Sequence, residues 1–300
     1  MTGILRIEMR RSLLVRLSPL AAAALVALMV NDIHTWRGIW PEGSAHISAP
    51  LLFIGPLMGG VGAWEVRRRC LAGAARGARS GAAPWITPLL IAHLLSGAAV
   101  IAVGALCAII VNLASGAPAG FLWPSYVLVA LACLTECIAV GLLLGRLGGP
   151  AWFAPVITAM LLFLRLVITL PGSGDAMRFH FTRLFLSGRA SAVLSPIGVA
   201  LAVLEAGLVV VLAWSVPDLI AHTRAIRTRT AYPWSRTHRR TVAVGSLGCV
   251  VAGALVLTSP RLTQERRPPK EPVCTSTEFR ICVWPDEAAR LPGLTRIAER

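Results

Sequence analysis

Charge is scarce in this sequence, and lysine is nearly absent from it. Asp, Glu, Lys and Arg together make up 14% of its 300 residues, whereas a soluble globular domain usually has about 25%. The only lysine is Lys270, so arginine carries almost all of the positive charge. Hydrophobic residues account for 56% of the chain. This composition excludes an ordinary soluble globule and indicates that lipid surrounds most of the chain.

The motifs of the common enzyme classes are also missing. The sequence contains no GxxxxGK[ST] phosphate loop, no GxSxG nucleophile turn, no HExxH zinc motif, no kinase signature and no paired CxxC. Its six histidines are dispersed and lack the spacing of metal ligands. We therefore expect a chain that is not an enzyme, with no cofactor and no metal.

Seven apolar segments are long enough to cross about 30 Å of hydrocarbon, which takes roughly 20 helical residues. The predicted spans are 13–30, 45–64, 86–112, 121–144, 151–170, 192–214 and 241–259. No convincing small-residue cleavage site follows the first segment, so we interpret it as a retained helix and not a signal peptide. The expected fold class is all-α, a polytopic transmembrane helix bundle over residues 1–260 with an extracytoplasmic tail at 261–300.

Arginine asymmetry predicts the orientation of this bundle. Sixteen arginines flank the spans on the side of the N-terminus, and four lie in the alternate loops. Because positive loops stay in the cytoplasm, the N-terminus is expected inside and the C-terminus outside. The tryptophans agree, since six of nine fall at predicted span ends, where indole rings favour the membrane interface. They are Trp40, Trp64, Trp85, Trp123, Trp152 and Trp214.

The net charge of +15 could suggest a nucleic-acid-binding protein, which gathers basic residues on one face of a domain. Here the basic residues occur in bursts between apolar segments, as topology signals do. We expect the lipid bilayer as a partner and no nucleic acid. The seventh span is the least secure, because Arg261, Arg266 and Arg267 follow it on the predicted outer side.

Two cysteines in the tail differ from the rest. Cys274 and Cys282 flank a β-prone stretch, 275–281, that could form a hairpin closed by a disulfide in an oxidising compartment. Free thiols or a metal site are the alternatives. Cys133 and Cys137 lie one turn apart within a predicted span, where packing is the favoured role.

Small and ionisable residues inside the predicted spans indicate helix contacts. The GxxxG pairs Gly55–Gly59 and Gly141–Gly145 favour close helix packing, most simply within the chain. Ionisable groups in a span are functional candidates because burying them is costly. They are His93, Glu136, Arg165 and Glu205. We expect an ion pair between Arg165 and Glu205, with Glu136 as the competing partner. Such a pair could simply lock helices together, and an intramembrane enzyme using one of the glutamates is a further alternative.

Residues 175–188 carry apolar side chains at helical spacing and are expected to lie in the outer interface, unless they form a plain loop. With this segment, the layout resembles the membrane subunit of an ABC-2-type ABC transporter over residues 1–221. The resemblance includes a basic N-terminal helix and the sequence GAWEVRRR at 62–69, where the second span leaves the membrane. Segments 36–41, 120–126 and 282–285 further resemble a group of actinobacterial ABC transporter permeases.

This resemblance implies a function and a set of contacts. The chain would be a non-catalytic permease of the bacterial cytoplasmic membrane that exports its substrate and is homodimeric through its first, second and fifth spans. Glu65, Arg67, Arg68 and Arg69 would form the helix that couples it to a separate ATPase. The seventh span and the cysteine tail depart from the six-span family plan. The alternative from the residues themselves is a membrane-anchored sensor or scaffold acting through its disulfide tail. The basic segments would then only be retention signals held by anionic lipid.

Overall fold

The structure is a computed structural model that describes residues 2–75, 86–117, 120–147, 150–168, 192–227, 243, 263–265, 271–275, 280–285, 288 and 291–298. Helices dominate these ranges. They are α1 (Thr2–Arg11), α2 (Leu13–Asn31), α3 (Ile33–Trp36), α4 (Trp40–His46), α5 (Leu51–Ala75), α6 (Ile86–Ala114), α7 (Pro124–Leu147), α8 (Phe153–Ile168), α9 (Pro196–Arg227) and α10 (Leu291–Ala298). The short strands are β1 (Ala192–Leu194), β2 (Thr263–Glu265), β3 (Val273–Cys274) and β4 (Cys282–Val283).

Five helical segments are long and apolar enough to cross a membrane. They are Leu13–Asn31, Trp40–Ala72, Ile86–Ala114, Pro124–Leu147 and Pro196–Ser215. This confirms a helical membrane protein, with candidate spans near five of the seven predicted positions. The predicted span 151–170 contains α8, an apolar helix of 16 residues. The predicted span 241–259 lies outside the described residues except for 243, and segment 175–188 lies outside them entirely.

The second span differs from its predicted bounds. Residues 45–64 were expected to form one helix, but α4 ends at His46 and α5 begins at Leu51. Pro50 explains the break, because proline has no N–H to donate and its ring disfavours helical geometry in the preceding residue. α5 also continues well past the predicted end to Ala75, helped by an ion pair one turn apart between Glu65 and Arg69.

The sixth span begins later than predicted. Residues 192–194 form β1, which pairs antiparallel with β2, and the helix starts only at Pro196. Ser195 caps that start, since its Oγ accepts a hydrogen bond from Gly198 N at 3.5 Å. Proline is favoured in the first turn, where its missing N–H would have no helical partner.

The bundle is built around α7, which packs against α5, α6, α8 and α9. At the α5–α7 contact the two GxxxG motifs face each other. A Cβ built on Gly145 would lie 2.5 Å from the carbonyl oxygen of Ala63, and one built on Gly141 would overlap the carbonyl of Gly59. Only glycine permits this approach of the two backbones, so the predicted intramolecular role of the motifs is confirmed.

Between α2 and α5 the chain folds back into the bundle. Residues 38–48 are all buried, and Trp40 is 1% exposed. The indole of Trp40 lies against Gly120 and stacks on Phe121 with ring centroids 6.0 Å apart. Trp40 therefore lies at the start of the candidate span Trp40–Ala72, as predicted for a span-end tryptophan, but it is buried among the helices and does not face lipid. Trp152 fits the prediction better, since it is 68% exposed.

Candidate functional site

The carboxylate of Glu65 is the centre of a buried polar network at one end of the bundle. Glu65 is 7% exposed. Its Oε2 accepts hydrogen bonds from Ser12 Oγ at 2.8 Å, from Leu13 N at 3.1 Å and from Leu14 N at 3.4 Å. These backbone groups are the first of α2, where N–H groups have no helical partner and an anion is stabilised. A side chain of α5 thus caps the N-terminus of α2.

Arg69 extends this network to α1. Its Nη2 lies 2.7 Å from Glu65 Oε1, one turn earlier on α5, and its Nη1 lies 2.6 Å from Glu8 Oε2 on α1. Both are short, charge-assisted contacts. The ends of α1, α2 and α5 are consequently held together by one guanidinium and two carboxylates. Arg146 is at the same end, where its Nη1 donates to the carbonyls of Ala213 and Trp214. We call this the arginine-rich end.

His93 on α6 completes the cluster. It is fully buried, and its Nε2 lies 3.1 Å from Ser12 Oγ and 3.2 Å from Glu65 Oε2. Its Nδ1 is buried without a hydrogen-bond partner among the described residues. A proton on Nε2 is therefore the tautomer that fits, because it gives Glu65 a further donor.

Serine, histidine and a carboxylate in contact raise the question of a catalytic triad. A triad needs the serine on one ring nitrogen and the carboxylate on the other. Here Ser12 and Glu65 both face Nε2 of His93, and Ser12 itself is 0% exposed. The geometry does not suit nucleophilic catalysis. No cluster of three or more metal-ligating side chains occurs in the part of the chain that the structure describes.

The four residues predicted to contact an ATPase do not share one surface. Glu65 and Arg69 face α1 and α2, with the contacts given above. Arg68 is exposed, and its guanidinium lies 4.6 Å from the ring centroid of Trp64. Arg67 is half-buried. The ATPase contact stays a prediction, and in this geometry Arg68 is the member of the set that is most accessible to a partner.

A second charged cluster lies within the bundle and joins three helices. Arg165 Nη2 on α8 is 2.5 Å from Glu136 Oε1 on α7 and 3.5 Å from Glu205 Oε1 on α9. The side chain of Glu136 is 4% exposed, that of Glu205 20% and that of Arg165 22%. The structure brings together the three residues singled out in the sequence, but the competing partner, Glu136, is the closer one. We call these three residues the Arg165 cluster.

The tail contains the predicted disulfide. Cys274 and Cys282 are bonded, with an S–S distance of 2.18 Å. They lie opposite each other in the antiparallel pair β3–β4, as expected for a hairpin. Thr275 N also donates to Ile281 O at 2.9 Å and continues the pairing into the hairpin. Cys133 and Cys137 are free and buried in α7, as a packing role requires.

Sequence reasoning missed Glu8 and Ser12 as members of the network at the arginine-rich end. One signal was present, because Ser12 directly precedes the apolar run of α2 and serine is a favoured N-cap residue. Nothing in the sequence indicated that Glu8 would face Arg69. The pairing depends on how α1 packs against α6 and α2, which brings Glu8 within reach of Arg69 on α5.

Comparisons with protein-family models, with curated proteins and with solved structures find no match to this chain. No family is therefore shown for it. Its assignment depends on the sequence resemblance and on the geometry described above.

Proposed function

We propose that this chain is the non-catalytic membrane subunit of an ATP-driven ABC transporter of the ABC-2 type, coupled to a separate ATPase. The resemblance over residues 1–221 suggests the family. The observation that carries the proposal is the joining of α1, α2 and α5 through Glu65, Arg69 and Glu8. A subunit driven by an external ATPase needs such a connection, because force applied at one end has to reach the spans.

The orientation is part of the same proposal. The basic residues of α1 and of the end of α5 lie together at the arginine-rich end, whereas α3 and α4 lie at the opposite end. Positive residues favour the cytoplasmic side. We place the arginine-rich end, with the N-terminus, in the cytoplasm of a bacterial cell. With the seven spans predicted from the sequence, this orientation puts the C-terminus outside and the disulfide in an oxidising compartment.

A homodimer through α2, α5 and α8, with export as the direction of transport, is also proposed from the resemblance. The exposed apolar side chains of these helices are compatible with a helix-lined seam. Leu20 on α2 is 68% exposed, Leu57 on α5 is 64% and Met160 on α8 is 65%. Crosslinking between cysteines placed at Leu57 of two copies would test this seam.

The coupling is tested with the ATPase encoded next to this gene, if that protein carries GxxxxGK[ST]. Replacing Glu65 and all three arginines by alanine should abolish co-purification of the ATPase, but this variant also disrupts the buried network. Arg67→Ala/Arg68→Ala keeps Glu65, Arg69 and Glu8 intact and should still lower recovery about tenfold or more. Arg6→Ala/Arg10→Ala is the control with the same charge change. Unchanged ATPase recovery by the Arg67/Arg68 variant would contradict the assignment.

The disulfide hairpin supports a second candidate, a sensor or scaffold that acts through its tail. A covalent closure is useful for a small segment that must hold a shape outside the membrane. Deleting residues 261–300 separates the two functions. A transporter subunit should retain its ATPase and its activity, whereas a scaffold should lose its partner.

A further inference from the structure

Two apolar grooves run along the outward face of α5. The first lies between α2 and α5 and has a volume of about 300 Å³. Its only polar lining side chain is Ser18, whose hydroxyl donates to Val15 O at 2.7 Å. The second lies between α5 and α8 and has a volume of about 310 Å³. Leu57 and Val61 line both grooves, so the two lie side by side on α5.

A polar cavity continues these grooves at the arginine-rich end. It has a volume of about 250 Å³ and is lined by Arg11, Leu13, Trp64, Glu65, Arg68, Arg69 and Ala72. Leu13 directly precedes Leu14, which lines the first groove, and Trp64 also lines the second groove. One continuous surface therefore changes from purely apolar to basic along the axis of α5.

The charges of this cavity favour an anion. Glu65 and Arg69 already bind each other, and Arg69 also binds Glu8. Arg11 and Arg68, in contrast, have no hydrogen bond or ion pair to another residue that the structure describes, although Arg68 stacks on Trp64. Guanidinium groups form strong, directional hydrogen bonds to phosphate oxygens. Two arginines are thus available to one phosphate at the mouth of the grooves.

The dimensions match a lipid. Residues 54 to 64 of α5 extend along the grooves to the cavity, and ten residues of helix measure about 15 Å. This length is about half of the roughly 30 Å hydrocarbon core, which is the depth of one leaflet. A pair of adjacent grooves suits two acyl chains, and a basic cavity at their end suits a headgroup. Anionic lipids are bound by basic pockets of this kind at the membrane surface.

We propose that the two grooves and the cavity form a binding site for one anionic phospholipid. Its phosphate binds Arg11 and Arg68, and its acyl chains lie on either side of α5. The site would fix α1 to α5 through the lipid as well as through Arg69. It does not depend on the transporter function. The dimer seam proposed above uses the same face, so the lipid occupies this face in the single chain and a second copy of the chain would displace it.

Native mass spectrometry of the full chain, extracted gently from membranes, tests the site. We expect one anionic phospholipid per chain. Arg11→Gln/Arg68→Gln should lower its occupancy roughly 10- to 30-fold, because two arginine contacts to an anionic headgroup are lost. Arg6→Gln/Arg10→Gln makes the same charge change outside the cavity and should retain the lipid. Equal lipid loss in the two double variants, or no bound phospholipid in the parent chain, would overturn the proposal.

The acyl-chain grooves are tested separately. Ala24 lines the α2–α5 groove, whereas its exposed neighbour Ala23 does not. Ala24→Phe should lower the lipid occupancy several-fold although both arginines are intact. Ala23→Phe should leave the occupancy unchanged. Both side chains are exposed, so neither change should prevent folding.

Two further arms separate the lipid from other occupants. Thermal unfolding of the delipidated protein is measured with inorganic phosphate alone and with phosphatidylglycerol in phosphatidylcholine nanodiscs. The thermal midpoint should rise only with phosphatidylglycerol. An equal rise with phosphate would assign the cavity to a soluble anion and overturn the lipid site. Cysteines placed at Ala24 test for a second copy of the chain in the grooves. Crosslinked dimers that contain no lipid would assign the grooves to that second copy and would also overturn the lipid site.

Discussion

The protein uses the same charge arrangement twice, in two different settings. At the arginine-rich end Arg69 lies between Glu8 and Glu65, and in the bundle Arg165 lies between Glu136 and Glu205. In each case one guanidinium meets two carboxylates. The first arrangement joins the ends of α1 and α5, and the second joins α7, α8 and α9.

The two arrangements differ in how symmetrically the arginine is shared. Arg69 is 2.6 and 2.7 Å from its two carboxylates, and Glu65 also receives the backbone N–H groups at the start of α2. Arg165 is 2.5 Å from one carboxylate and 3.5 Å from the other. Backbone N–H groups contribute to the first arrangement, and in the second the guanidinium of Arg165 lies closest to Glu136. Removing the counter-charge of a buried carboxylate is strongly destabilising.

Arg165→Gln should therefore have the largest effect. It leaves Glu136 buried without the guanidinium, and removing one member of a buried ion pair typically costs about 3–5 kcal/mol. Thermal unfolding of the detergent-solubilised chain measures the loss. Adding Glu136→Gln should restore part of it, because a neutral amide then replaces the buried carboxylate. If Arg165→Gln unfolds at the temperature of the parent chain, the cluster does not stabilise the bundle.

Glu65→Leu should have the second-largest effect, lowering the free energy of unfolding by about 3 kcal/mol. This is the lower end of the range for a broken buried pair, because Arg69 is 25% exposed and water can solvate it. Hydrogen exchange gives a local readout, in which the amides of Leu13 and Leu14 should exchange faster while α7 is unchanged. Glu65→Gln should be milder, since its amide oxygen can still accept from Ser12. Equal exchange rates in the leucine variant and the parent would exclude the capping role.

The unequal sharing of Arg165 predicts unequal effects of its two partners. Glu136→Gln should lower the free energy of unfolding by about 2 kcal/mol, which is in the range for the loss of a hydrogen bond to a charged group. Glu205→Gln should cost less than about 1 kcal/mol, because the contact is longer and partly exposed. Thermal unfolding of the two variants side by side makes the comparison. The reverse order would mean that Glu205 is the main partner.

Ser12→Ala should have a small effect, close to that of Glu205→Gln. It removes the N-cap of α2 and one donor to Glu65, and cap removal typically costs about 1 kcal/mol. Ser18→Ala on the same helix is the matched control, because its hydroxyl only donates to Val15 O. A loss at Ser12 no larger than that at Ser18 would show that Leu13 N, Leu14 N and His93 suffice to hold Glu65.

Much of the bundle could be predicted from sequence because its causes are local. Apolar runs of bilayer length gave five candidate spans, and the GxxxG spacing predicted close helix packing within the chain, although not which helices meet. The disulfide followed from two cysteines around a short β-prone stretch. Each of these features depends on residues that are near in sequence, or on a requirement imposed by lipid.

The positions that sequence reasoning misplaced depend on tertiary contacts. The run from Glu65 to Arg69 was expected to form one coupling surface, but helical periodicity separates its members. Residues 65 and 69 share one face, where Glu65 meets the start of α2 and Arg69 meets α1, whereas Arg68 shares a face with Trp64. Their spacing could have suggested this pairing. The burial of Trp40 had no such signal, because it follows from α4 folding back between helices.

The contact between Gly141, Gly145 and the carbonyls of α5 has a mechanical consequence. With no side chain between the two backbones, α5 and α7 have no deformable layer that would let one slide or roll over the other. We expect α5 and α7 to move together as one rigid body. Any cycle of opening and closing must then hinge where softer side chains separate the helices, as along the border of α2 with α5.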